Sequence, residues 1–377
     1  MEKRYFIYLI SCFLNDCAPQ GESVDWQVIY KLADINDVTA IIYQQINKLD
    51  DEYKPDKQLL SHFKQNLGFT IQDFEKKEKA QCTIQNFFNQ YNIDHLFVKG
   101  SEIRKYYPVK ELRTSGDIDV IVRSEKFDSV YNLLKDKKIK ILKHETQTIS
   151  LMTGGCEIEI HKTADVKSAY FNDIFSLCTN QTNCTYELPV YEQLLYVLCH
   201  LIKHLSYRGA GIRMLMDIDV LIRGIHDFDE VKFNEMCKSA NIEKSAKAIL
   251  SLCNYWFETP IKSDVNFNNE QKLLEIFETV MLEGGSFGYE VNSIPISQTG
   301  NSAVSTLFKL AFPSKEFLKK AYPYYEKNSL LLPVARMNRL YDGLTKKKKR
   351  AVASARQALK NNNSSDLQKE LLSELGL

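Results

Sequence analysis

Apolar residues recur at helical spacing through the first ninety positions, clearly in WQVIYKLADINDVTAIIYQQI (26–46). Residues 69–90 read as a polar helix with an apolar stripe, and the opening MEKRYFIYLISCFLNDC as an amphipathic first helix, so 1–92 is expected to be a helical region. The period changes near residue 93. IDHLFVKG predicts a short buried strand running into Lys99-Gly100-Ser101, followed by a helical EIRKYY stopped at Pro108. SGDIDVIVRS predicts a strand through Ile118, Val120, Ile121 and Val122, and Ser124 is the expected cap of a helix over EKFDSVYNLLKDKK. IKILKH and QTISLM read as further strands, and TGG as the turn into a return strand, CEIEIHK (156–162). This order predicts a small mixed α/β domain at 93–168. Helical patterns return over 188–206 and 213–226, then 229–257, 269–282 and 302–311, with a loop at 283–301. A helical C-terminal domain is therefore expected over 186–345, with a polar basic tail at 346–377. The fold class expected is α+β, a small mixed-sheet core flanked by N- and C-terminal helical regions.

Composition narrows the function classes. A formal net charge of +1 over 377 residues argues against a generally basic surface built to hold long nucleic acid. The nine cysteines form no CxxC pair and no zinc spacing, which reads as reduced thiols. The first apolar run is short and interrupted by Asn15 and Asp16, without a small-residue cleavage pattern, so a signal peptide is not expected. No segment has the roughly 20 apolar residues of a membrane span. The expected location is the cytoplasm.

Three short elements carry candidate chemistry. In Asp117-Ile118-Asp119, residues i and i+2 of a strand project from one face, and two adjacent carboxylates repel unless a cation neutralises them. Mg²⁺ suits such a pair, completing its shell with water and phosphate oxygens; Mn²⁺ is the other ion considered. Gly100 lets backbone approach a triphosphate, the Ser101 hydroxyl can bond its oxygens, and Lys99 and Arg113 can add positive charge. On the return strand, Glu157, Glu159 and His161 share one face, and either glutamate can supply the third carboxylate that binds metal and accepts a proton.

The ordered set KGSEIRKYYP, LRTSGDIDVIV and EIEIHK resembles the nucleotidyltransferase fold of the DNA polymerase beta superfamily. More closely, it resembles a bacterial family of uncharacterised nucleotidyltransferases that read KG, YP, R and DIDLLV, then an acidic residue two before a histidine. The likeness is specific over 96–123 and 157–162 and looser over 194–225. It implies Gly100 and Ser101 at the triphosphate, Asp117 and Asp119 on metal, and Glu159 as third carboxylate with His161 beside it, where the family often has Asp. It also matches His204, Arg213 and Asp217 to family positions, implying a secondary role in cradling nucleotide or acceptor. The implied reaction moves an NMP from an NTP, with ATP the expected donor, to a small molecule, a protein or an RNA end. The rival is a non-catalytic nucleotide-binding module that regulates a protein partner.

Two patterns invite over-reading. DIDV recurs at 217–220, but on a helix Asp217 and Asp219 point about 200° apart and cannot chelate one ion. Asp217 is expected to face the site or to be structural, and Asp219 to be solvated. His200 and His204 have i, i+4 spacing but no third ligand in suitable register, so a polar patch is expected there.

Overall fold

The computed structural model describes residues 1–207, 210–267, 269–283 and 370–377. The chain divides into two compact units, 1–203 with 212–271 and 204–211 with 272–377. The loop expected at 283–301, the helix at 302–311 and most of the tail at 346–377 lie outside the described residues.

Four helices open the first unit: α1 (Glu2–Leu14), α2 (Trp26–Ile35), α3 (Thr39–Ile46) and α4 (Lys57–Gln90). Asp25 and Asp56 cap α2 and α4, each accepting two backbone amides. Helix α1 packs against α2 and α3 and also against the later α8 (Ile212–Arg223) and α10 (Glu243–Phe257), so it is buried nearly all round. Helix α4 starts well before residue 69, at the Asp56 cap, and runs to the sheet.

The sheet begins with β1 (His95–Val98), then the short α5 (Gly100–Ile103), β2 (Ile118–Val122) and α6 (Phe127–Asp136). Strands β3 (Ile141–His144), β4 (Thr148–Thr153) and β5 (Cys156–His161) follow. Gly154 and Gly155, both at positive φ, form the two-residue turn between β4 and β5. The Ser124 hydroxyl does not cap α6: it faces Glu125, and a 3₁₀ turn over Ser124–Lys126 leads into the helix without a side-chain cap. Past the expected boundary at 168, β6 (Asn180–Thr182) and β7 (Thr185–Glu187) join the same sheet. The strand order is β3-β4-β5-β2-β1-β7-β6, with β2–β5 and β1–β7 parallel and the other pairs antiparallel.

One sheet face packs Phe97, Ile118, Val120, Val122, Ile158 and Ile160 against Ala80, Ile84 and Phe88 of α4 and Phe127, Val130 and Leu134 of α6. Strand alternation turns Asp119 and Ile121 of β2, and Glu157, Glu159 and His161 of β5, to the opposite face. Helix α7 (Val190–Tyr207), α8, α9 (Glu230–Ser239) and α10 complete the first unit, apart from the last turn of α7. Asp219 is fully buried rather than solvated. Arg223 one turn on donates to it at 2.8 Å and the Thr259 hydroxyl at 2.6 Å, because α8 is enclosed on all sides. In the second unit, α11 (Gln271–Glu278) passes into a π-helical turn, and Lys272 pairs with Glu370 at 2.5 Å. All nine cysteines are free thiols. No helix among the described residues is long and apolar enough to cross a membrane.

Candidate functional site

The site forms where β1 ends and where β2 and β5 run side by side. At the end of β1 the backbone turns through Lys99 with φ +58° and ψ −133°, a conformation that costs a non-glycine residue of order 1–3 kcal/mol. The turn aims the ammonium at Asp119, donating to Oδ1 at 2.8 Å and to Asp165 Oδ2 at 3.4 Å. Gly100 follows because no side chain fits there. A Cβ would lie 2.9 Å from Arg113 Cζ and 3.2 Å from Ser115 Cβ. The Ser101 hydroxyl donates back to the Val98 carbonyl at 3.0 Å, closing the turn.

The parallel register sets Asp119 beside Glu159. Asp119 is buried, Glu159 half-buried, and Asp117 half-buried in the loop just before β2. His161 Nε2 lies 2.8 Å from Asp119 Oδ1 and 3.7 Å from Glu159 Oε2. Asp119, Glu159 and His161 each offer a donor atom within 4.8 Å of the other two, a spacing compatible with one metal ion. Glu157 is exposed on the same strand and stands outside this cluster.

The charges are arranged unequally. Burial opposes the charge on Asp119, but Lys99 and His161 outweigh it and hold the carboxyl well below the usual range. Burial, together with the Asp119 charge, pushes the Asp117 carboxyl up. Burial and then Asp117 do the same to Glu159. Asp165 is held down despite its burial by Lys99 and by Lys203 of α7, which donates to its carboxylate. The arrangement therefore has one carboxylate fixed in its ionised form and two whose charge is poorly compensated. A cation near Asp117 and Glu159 would relieve their repulsion. The donor set fits a divalent metal: two carboxylates and an imidazole in the cluster, with a third carboxylate at its edge. On His161 the choice is exclusive, since Nε2 either donates to Asp119 or ligates a metal.

The other sequence candidates fall in two places. Arg113 and Asp217 form a buried bidentate pair, Nε–Oδ1 3.1 Å and Nη2–Oδ2 2.6 Å, so these two candidate side chains are engaged with each other. Arg213 lies beside them, donating to Thr114 Oγ1 at 2.9 Å. His204 sits on the last turn of α7, in the stretch that belongs to the second unit. Sequence reasoning missed Asp165 and Lys203, whose link between the β5 exit and α7 leaves no local pattern, and also the Tyr107 hydroxyl, which donates to Asp217 at 2.7 Å.

A family model described as "Uncharacterised nucleotidyltransferase" matches residues 22–258, more than half of the chain. The chain belongs to that family. The matched segment begins among the N-terminal helices and ends just past α10, so it takes in the sheet and every residue of the cluster. A comparison with curated proteins found no match.

Proposed function

We propose that the protein is a divalent-metal-dependent nucleotidyltransferase that moves an NMP from an NTP, ATP foremost, to an acceptor hydroxyl and releases pyrophosphate. The observation that carries the reading is the juxtaposition of Asp119 and Glu159 on adjacent parallel strands, with Asp117 at the edge, beside a strained turn bearing Lys99 and Gly100. Asp117, Asp119 and Glu159 would hold the ion, Mg²⁺ or Mn²⁺, which when bound neutralises charge developing on the transferring phosphoryl group.

The chain's own groups supply the rest. The acceptor oxygen forms a bond to the α-phosphorus as the bond from that phosphorus to the bridging oxygen breaks, and pyrophosphate leaves with that electron pair. Glu159 takes the hydroxyl proton. Lys99, freed from Asp119, neutralises phosphate oxygens that the turn at Gly100 and Ser101 lets approach the backbone. His161 orients Asp119. The near-neutral charge favours a small molecule, a protein side chain or an RNA end over long nucleic acid as acceptor.

The test is incubation of the protein with cell extract, Mg²⁺ or Mn²⁺, and each NTP labelled at either the α- or the γ-phosphate. Transfer of α-label alone supports the reading and isolates the acceptor. Binding of NTP with no transfer of either label would favour a regulatory module instead.

A further inference from the structure

The loop leading into β2 is gripped by three separate helical elements. Arg113 is bound along one edge of its guanidinium, through Nε and Nη2, to both carboxylate oxygens of Asp217 of α8, and its Nη1 donates to the Thr114 carbonyl at 2.8 Å. The Thr114 hydroxyl donates to the Asp37 carbonyl at 2.8 Å, in the turn between α2 and α3, and accepts from Arg213 of α8. Arg213 Nη1 also reaches Asp37 Oδ2 at 3.3 Å. Lys77, buried on α4, donates to the Ser115 carbonyl. Thus Arg113, Thr114 and Ser115 are each tied to a helix, and Asp117 and Asp119 follow directly.

Ionic groups are poor choices for stability alone in such a place, since desolvation consumes most of what pairing returns. They are good choices for fixing a backbone, because each bond is directional and the alternative is an unpaired buried charge. The same Arg113 guanidinium fills the space beside Gly100. One buried pair thereby holds the turn and the carboxylate-bearing loop at a set separation.

We propose that Asp217 and Arg213 are positioning residues that set Asp117 for divalent-cation binding, and that the helices before residue 92 form part of this frame through Asp37 and Lys77. The inference rests on the metal-dependent reading of the site. It is tested without substrate, by titrating the full chain with Mn²⁺ and reading free ion by electron paramagnetic resonance. Asp217→Asn is expected to weaken Mn²⁺ binding about 10- to 100-fold, the range for residues that orient metal ligands. Thr114→Val, which removes one hydroxyl with little change of shape, is expected to weaken it less, by about 3- to 10-fold, as the loss of a single neutral hydrogen bond does. Should Asp217→Asn fail to fold, Thr114→Val decides the matter. Phe233→Leu in α9, a core substitution remote in sequence from the loop, is expected to lower thermal stability and leave Mn²⁺ affinity unchanged. Wild-type Mn²⁺ affinity in Thr114→Val and in any folded Asp217→Asn overturns the positioning role, as does an equal loss in Phe233→Leu. Absence of Mn²⁺ binding by the wild type instead overturns the metal reading on which the role depends.

Discussion

Two glycine-to-alanine substitutions are expected to shift stability in opposite directions. At Gly100 the new methyl would lie 2.9 Å from Arg113 Cζ and 3.2 Å from Ser115 Cβ. Neither neighbour can yield easily: Arg113 is bound at two points to Asp217, and Ser115 is tied to Lys77. Overpacking of this kind costs about 1–3 kcal/mol. Gly100 opens the short α5 instead of lying inside a helix, so alanine returns at most about 0.5 kcal/mol of helix propensity and the net loss is about 0.5–2.5 kcal/mol. For a unit of this size each kcal/mol moves the thermal midpoint by about 2–4 °C, which gives a fall of about 1–10 °C. At Gly68, in α4, a Cβ meets nothing within 4 Å. Gly68→Ala therefore keeps only the helix gain and raises the midpoint by about 1–4 °C. Differential scanning fluorimetry of both variants reads the difference. If Gly100→Ala melts at or above the wild-type temperature, Arg113 does not occupy the space described, and the coupling between turn and loop fails with it.

Other expectations follow from the charges. Glu159 and Asp117 have folded-state pKa values above their unfolded ones, a penalty that is absent below the unfolded pKa of about 4 and complete above the folded one. Metal-free Glu159→Gln should therefore melt higher than wild type at pH 7 to 8 and lose that advantage as the pH falls to about 4. Asp119 has the opposite sign: its stabilisation is present above the unfolded pKa of about 3.9 and is lost as pH falls through the depressed folded value. Asp119→Asn should melt below wild type at neutral pH, with the gap closing in acid; a gap independent of pH would contradict the ion pair of Asp119 with Lys99. Mn²⁺ should raise the wild-type midpoint in a concentration-dependent way that EDTA reverses and that Asp119→Asn abolishes, since a ligand of the folded state alone stabilises by mass action.

Much of the site was legible because strand alternation is strict. Once SGDIDVIV and CEIEIH are read as strands, the apolar residues fix one face, and Asp119, Glu159 and His161 must share the other. That Glu159, and not Glu157, stands directly beside Asp119 is set by the parallel register of β2 against β5, which no local pattern encodes. Strands β6 and β7 escaped notice because NQT and TYE are short and lack apolar alternation. The environment of Asp219 was misread for a related reason. Its helical geometry correctly separates it from Asp217, but the sequence does not disclose that α8 is covered by α1 and α10. The partners of Arg113, Lys99 and Asp165 lie 104, 20 and 38 residues away along the chain, and charge pairs at such separations have no periodic signature.

The most direct measurement compares pyrophosphate release by the wild-type chain and by Asp117→Asn/Asp119→Asn, in Mg²⁺ or Mn²⁺ with ATP and the acceptor fraction from extract. Metal-dependent release is expected from the wild type and a loss to background in the double variant, with nucleotide binding retained through the turn at Lys99 and Gly100. Release at the wild-type rate from the double variant, or release that persists in EDTA, would contradict it.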